Sequence, residues 1–137
     1  MTNILYVCVH NAGRSQMAEA FTNHLAAERG LKILGTSAGT IAGDQINPIA
    51  AQVMEEIGIS MEAQYPKELT QSLADNASKI ITMGCGVDAA ACPARILISE
   101  DWELDDPKGQ TIDAVRAIRD QIRDRVELLL TNYVPAA

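Results

Sequence analysis

The stretch Asn3–Val9, NILYVCV, constrains the fold more than any other. It is a continuous β-prone run, not an alternating one, which is the pattern of a strand covered on both faces. The segments that follow repeat the theme. RSQMAEAFTNHLAAERG reads as a helix, with Met17, Phe21 and Leu25 four apart, Ala18 and Ala26 widening the stripe, and Gly30 as a stop. LKILGTSAG is a second strand. INPIAAQVMEEIG carries Asn47 as N-cap, Pro48 at the first helical position and Gly58 at its end, with Ile49, Val53 and Ile57 on one face.

YPKELTQSLADNA holds a short helix, SKIITM a third strand, and the residues around Cys85 and Cys92 a loop marked by glycines and a proline. A fourth strand is expected at ARILIS, Ala94–Ser99, then an acidic loop, EDWELDDPKGQ. The chain closes on its longest helix, about Thr111 to Tyr133, where Val115, Ile118, Ile122, Val126, Leu129 and Tyr133 step by three and four. Strands alternating with helices predict a three-layer α/β sandwich around a four-stranded parallel sheet, too few strands for a barrel. The 137 residues make one domain, 1–137, without repeats or linkers.

Ligands of such sheets sit beyond the carboxyl ends of the strands. Cys8 stands there on the first strand, and Cys85 and Cys92 follow the third. The spacing Cys8-x5-Arg14 has a mechanical reason. Five residues can wrap so that successive backbone N–H groups point inward, a nest for a tetrahedral oxyanion. Gly13 is read as permitting a conformation closed to other residues, and Asn11 tolerates the left-handed region. Arg14 opens the helix and can return a planar fork to two oxygens of the anion. The nest, the helix N-terminus and Arg14 also stabilise negative charge on Cys8, so a thiol pKa below the ordinary ~8.5 is expected, with Ser15 as a hydrogen-bond donor to the sulfur.

A nucleophile acting on an oxyanion needs an acid for the leaving group. Asp105-Asp106-Pro107 offers one, with Asp106 preferred beside the proline; the plain alternative is a solvated acidic turn. Three cysteines are too few and too odd for a secreted disulfide framework. Cys85 and Cys92 could be buried hydrophobes or, with Cys8 and His10, zinc ligands, although their spacing is not that of a zinc knuckle. A redox relay uses all three: Cys85 attacks a Cys8 adduct, and Cys92 then attacks Cys85 and carries the oxidation outward. His10 lies inside the cradle and could orient its backbone; His24 reads as a surface or boundary residue.

Composition narrows the partners. The net charge is −7, from 11 Lys plus Arg against 18 Asp plus Glu, which argues against nucleic acid or an anionic membrane. Aromatic residues are 4%, too few for stacking platforms on single strands. Met1-Thr2-Asn3 lacks a basic n-region and the following apolar run is too short for a signal peptide, so a cytoplasmic protein is expected; a monomer is expected as well.

Together, CVHNAGRSQMAEAF, TSAG, GDQINPIA, ITMGCG with the later CP, DWELDDPKGQ and IRDQIRDRVELLL resemble the thioredoxin-coupled arsenate reductases of the low-molecular-weight protein tyrosine phosphatase fold, over nearly the whole chain. The resemblance implies that Cys8 attacks arsenate held by the loop His10-Asn11-Ala12-Gly13 and by Arg14, phosphate and sulfate being analogues. Asp106 would protonate the leaving hydroxyl, Cys85 would attack Cys8 and release arsenite, and Cys92 would take the disulfide for thioredoxin to reduce. Ala12 stands where such loops commonly carry Ser, which leaves loop rigidity more to Asn11. Some relatives bind a monovalent cation near the loop. Asn11, Glu19 and Ser37 fall in suitable positions, with Glu68 as the remaining carboxylate; no other cofactor and no metal are implied. Other relatives use a low-molecular-weight thiol as reductant, and the Cys85-to-Cys92 spacing favours the thioredoxin type.

Two other readings stay open. A protein tyrosine phosphatase needs only Cys8, Arg14 and Asp106, but Lys108 and Gly109 follow the Asp-Pro where an aromatic wall would stand. A non-catalytic oxyanion-binding or redox-sensing protein would have no use for Asp106.

Overall fold

The computed structural model describes residues 1–83 and 98–134. Its elements, in order, are β1 (Thr2–Cys8), α1 (Arg14–Arg29), β2 (Ile33–Gly39), α2 (Pro48–Glu55), α3 (Gln71–Asn76), β3 (Lys79–Thr82), β4 (Glu100–Asp101) and α4 (Ile112–Leu130). The sheet runs β2-β1-β3-β4 with every pairing parallel. β1 lies inside it, paired with β2 from Thr2↔Ile33 to Cys8↔Gly39 and with β3 from Ile4↔Lys79 to Val7↔Thr82.

The unbroken apolar run of β1 is explained by what covers it. Ile4, Tyr6 and Cys8 face a core shared with Met17 and Phe21 of α1, Val53 of α2 and Ile118 and Ile122 of α4. Leu5 and Val7 face the opposite way, into a smaller core with Ala38, Leu69, Ala74 and Ile80. Successive side chains of a strand point to opposite faces, so both sides had to be apolar. The three layers are therefore present but unequal, with α1, α2 and α4 on one face and the short α3 on the other.

Local chemistry sets the helix limits. Asn47 Oδ1 accepts from the amides of Ile49 and Ala50, with Pro48 at the first helical position. Thr70 and Thr111 cap α3 and α4 in the same manner. Gly30 ends α1 in the left-handed conformation (φ 66°), and the Leu31 amide returns to the Ala26 carbonyl. α2 stops at Glu55, short of Gly58, which turns the chain at φ 80°. α4 ends at Leu130, leaving Tyr133 in a turn packed on the core edge.

The fourth strand departs from expectation. Of Ala94–Ser99, only Ile98 and Ser99 lie within the described residues, and neither is strand; β4 is Glu100–Asp101, the start of the stretch read as acidic loop. Hydrophobicity is a poor guide here because β4 is a sheet edge, where charged side chains are tolerated. The Glu100 carboxylate accepts from Lys79 Nζ at 3.2 Å and Trp102 Nε1 at 3.1 Å, while the Ser99 and Trp102 amides bond to the carbonyls of Ile80 and Thr82.

From β1 the chain moves outward to β2, then returns across β1 to β3. This order leaves Cys8 at the carboxyl end of an inner strand, where ligands of such sheets sit. Among the described residues no helix is long and apolar enough to cross a membrane.

Ile122 is fully buried where α4 meets the sheet-facing core, while Leu128 on the same helix is 72% exposed. Ile122→Ala is expected to lower unfolding free energy by about 2–5 kcal/mol, and Leu128→Ala to stay within about 0.5 kcal/mol. Urea titration of both variants checks this.

Candidate active site

β1 ends at Cys8 and α1 begins at Arg14, so residues 9–13 must bridge strand and helix over a short arc. Every carbonyl along this arc is held by a donor. The Cys8, Val9, His10 and Ala12 carbonyls accept from the amides of Thr40, Ile41, Gly43 and Asn47; the Asn11 carbonyl accepts from Gln16 Nε2, and the Gly13 carbonyl from the Met17 amide. With the carbonyls drawn outward, the loop amides are left facing the concave side. The Asn11 amide donates to Cys8 Sγ at 3.3 Å. The amides of Arg14 and Ser15 stand in the first turn of α1, where no intrahelical carbonyl precedes them. α1 also has no capping side chain, unlike α2, α3 and α4. Backbone donors left together at a helix N-terminus form an anion site.

Asn11 is the centre of the arc. It is fully buried and takes φ 52°, the left-handed conformation expected of it. Its Oδ1 accepts from the Lys67 amide at 3.0 Å and from Gln16 Nε2 at 2.9 Å, so its Nδ2 must be the end that donates to Ser15 Oγ at 2.8 Å. That bond fixes the direction of the next. Ser15 Oγ, already an acceptor, turns its own proton to Cys8 Sγ at 3.0 Å. The sulfur therefore lies at the end of a chain of donors, an environment that favours thiolate.

Arg14 opens α1 as expected but is more tightly held than a free fork. Its Nη1 donates to the carbonyls of Met83 at 2.9 Å and Leu104 at 2.8 Å, and the residue is 7% exposed. Nε and Nη2 remain as donors toward an anion, and Nη2 lies 3.9 Å from Asp106 Oδ2. Asp106 is exposed at the mouth, its Oδ1 accepting from the Lys108 amide at 2.9 Å. The loop that carries it is anchored: Trp102 is buried against Tyr6 with ring centroids 5.5 Å apart, and Pro107 packs on Gly13.

Gly13 takes φ −134° and ψ −86°, outside the main helical and extended regions, and it is constrained a second way: a Cβ there would stand 2.7 Å from Pro107 Cγ. Glycine is needed so that the acid-bearing loop can close on the cradle. Gly39 plays the matching part behind the cradle, where a Cβ would lie 2.5 Å from the Val9 carbonyl oxygen.

The structure thus brings Cys8, His10, Asn11, Ala12, Gly13, Arg14, Ser15 and Asp106 together. All but the buried Asn11 and Ser15 line a cleft of about 740 Å³. His10 is exposed and its Nδ1 lies 3.0 Å from the Ile41 carbonyl, which gives Nδ1 the proton. Cys85 and Cys92 lie outside the described residues. Among the described residues no group of three or more His, Cys, Asp or Glu gathers to hold a metal. Sequence reading missed Gln16 and Lys67, which brace Asn11, and the bracing by residues 40–47; the GDQINPIA motif marked that segment without disclosing its use.

Three comparisons bear on this arrangement. Residues 3–135 match the family model for low molecular weight phosphotyrosine protein phosphatase. A glutaredoxin arsenate reductase of Synechocystis sp. is 37% identical, over 96% of this chain and 98% of that protein. Among solved structures, an arsenate reductase in the phosphate-binding state is 36% identical with a TM-score of 0.82, covering 96% of this chain and 98% of that one. A thioredoxin-dependent arsenate reductase of Corynebacterium glutamicum is 31% identical with a TM-score of 0.76, covering 96% of this chain and 61% of that one.

The Asn11–Ser15–Cys8 chain generates a direct test. Ser15→Ala removes a donor to the sulfur, so the pH midpoint for alkylation of Cys8 by iodoacetamide is expected to move upward relative to the unsubstituted protein. Mass spectrometry of the Cys8 peptide along a pH series reads it.

Proposed function

The chain belongs to the low molecular weight phosphotyrosine protein phosphatase family, and we propose that within it this protein reduces arsenate to arsenite. The observation that carries the reading is the buried Cys8 sulfur, hydrogen-bonded by Asn11 and Ser15 at the floor of a cradle of outward-held carbonyls. Relatives that cover almost the whole chain and are named arsenate reductases support the choice of substrate.

The first step is argued from the described groups, and the steps at Cys85 and Cys92, which lie outside the described residues, from the sequence. Arsenate enters the cradle, held by the loop amides and by Nε and Nη2 of Arg14. The Cys8 thiolate forms a bond to arsenic, and Asp106 at the mouth protonates the departing oxygen, which leaves as water. Cys85 then attacks Cys8 sulfur. The S–S bond forms as the S–As bond breaks, and its electron pair stays on arsenic, which leaves as arsenite. Attack by the Cys92 thiolate on Cys85 frees Cys8 and produces a Cys85–Cys92 disulfide, the form presented to an external dithiol. We assign thioredoxin as that dithiol and the cytoplasm as the location, a compartment that keeps three thiols reduced. A thioredoxin-dependent relative supports the assignment; the relative named for glutaredoxin supplies the competing donor.

Phosphatase chemistry would use the same first step. The cleft wall beside Asp106 bears Pro107 and Lys108, not an aromatic ring to hold a phosphotyrosine. A phosphatase also has no use for Cys85 and Cys92.

Steady-state NADPH oxidation with arsenate, thioredoxin and thioredoxin reductase tests the reading. Turnover is expected, and Cys8→Ser, Cys85→Ser and Cys92→Ser are each expected to abolish it. Asp106→Asn is expected to lower kcat by roughly 10²-fold or more. Wild-type turnover by both Cys85→Ser and Cys92→Ser would refute the relay. Turnover only with glutaredoxin and glutathione would reassign the donor.

A further inference from the structure

The family resemblance leaves room for a monovalent cation beside the cradle, coordinated by Asn11, Glu19, Ser37 and Glu68. The geometry does not fit one. Asn11 Oδ1 already accepts two hydrogen bonds, from the Lys67 amide and Gln16 Nε2, which uses both lone pairs. Ser37, fully buried, donates its hydroxyl to Glu19 Oε1 at 2.8 Å. Glu68 is exposed. A positive charge is already present, because Lys67 Nζ lies 3.5 Å from Glu19 Oε1.

We propose that the Lys67 ammonium is the built-in counter-charge of this cradle, and that it makes oxyanion binding independent of potassium and similar ions. Glu19 is 9% exposed, and among the described residues Lys67 is the cation that faces it. A carboxylate at that depth needs a paired charge. Lys67 is held for the task at both ends. Its Nζ sits 5.2 Å from the centroid of the Tyr65 ring, and its main chain joins the two parts of the site. The Lys67 amide donates to Asn11 Oδ1, and its carbonyl accepts from the Gly39 amide at 2.9 Å. One residue thereby connects Glu19 on α1, the left-handed Asn11 of the cradle and the end of β2. Through Asn11 the connection runs on to Ser15 and to Cys8. Lys67 touches neither anion nor sulfur; it is a positioning residue.

Loss of the ammonium leaves Glu19 buried without a cation. The carboxylate then draws in a small cation or pushes outward, and in the second case α1 and Asn11 shift with it and the cradle opens. A cation small enough to enter the vacated space reverses the defect, whereas choline cannot.

The proposal rests on the function argued above only in requiring that the cradle bind a tetrahedral oxyanion, so the test uses inorganic phosphate and no turnover. Phosphate affinity by calorimetry and the melting temperature are measured at constant ionic strength in potassium, sodium or choline chloride. The unsubstituted protein is expected to give the same values in all three. Lys67→Met, which keeps the aliphatic stem, is expected to bind phosphate about tenfold more weakly in choline chloride, and to recover affinity and melting temperature in potassium or sodium chloride. Lys67→Arg is expected to stay insensitive to the cation. Should Lys67→Met fold poorly, the double variant Glu19→Gln/Lys67→Met has no carboxylate to neutralise and is expected to be insensitive. The proposal is overturned if the unsubstituted protein binds phosphate more tightly in potassium than in choline, if Lys67→Met matches it in every salt, or if the double variant responds to cations as the single one does. Failure of the unsubstituted protein to bind phosphate in any salt would instead overturn the oxyanion cradle, and this proposal with it.

Discussion

Between Cys8 and Gly13, six successive carbonyl groups are drawn away from the sulfur, four by amides of residues 40–47, one by the side chain of Gln16 and one by the first turn of α1. A peptide unit cannot turn its carbonyl one way without turning the next N–H the other. Buried carbonyls must be paired, so the segment after β2 does more than cover the loop. It decides which side of the arc presents donors. The parallel register Cys8↔Gly39 puts that segment in reach, since both strands end at the same level and their continuations run side by side. Oxyanion recognition is thus a consequence of strand pairing carried a few residues past the sheet.

Close approach is the second condition. The end of β2 can lie against the arc because Gly39 has no side chain, and the Asp106 loop can lie against it from the front because Gly13 has none. Between these two contacts the arc has little freedom, and Asn11 can hold a left-handed conformation of modest cost. The buried amides of Asn11 and Gln16 and the half-buried amide of Gln64 then satisfy one another and the neighbouring backbone, with Gln64 Nε2 donating to Gln16 Oε1 at 2.7 Å. A network of this kind is costly when incomplete and specifies a single arrangement when complete. The Asn11 bonds brace the arc from behind, on the side away from Cys8 and the cleft.

Much of this could be read from the chain before any coordinates. Continuous apolar character in Asn3–Val9 implied two covering layers, and Cys8, Asn11, Arg14, Ser15 and Asp106 could be named because each acts within a few residues of a strand end, a helix start or a proline. What escaped had no local signature. Lys67 reaches Asn11 across 56 positions, and no periodicity or turn chemistry marks a lysine whose amide and ammonium serve different partners. β4 escaped because an edge strand two residues long has no hydrophobic pattern to betray it. Gly13 was singled out for its backbone, but nothing local marks its second constraint, the close approach of Pro107 almost a hundred residues further on.

The charges explain how an anion site persists on a chain of net charge −7. Near the arc Arg14 is matched with Asp106 and Lys67 with Glu19, and Asp105 and Lys108, which also line the cleft, are of opposite sign. Beyond these formal charges stands the set of backbone dipoles converging on one point. Dipoles fall off faster with distance than charges and act only on what enters the arc, so the site discriminates by shape and position more than by attraction from afar. A tetrahedral oxyanion, with oxygens spread toward several amides at once, exploits that arrangement more fully than a planar carboxylate or a spherical halide. The same dipoles act on Cys8 before any anion arrives, and the sulfur and an anion seated above it are therefore stabilised by one set of groups.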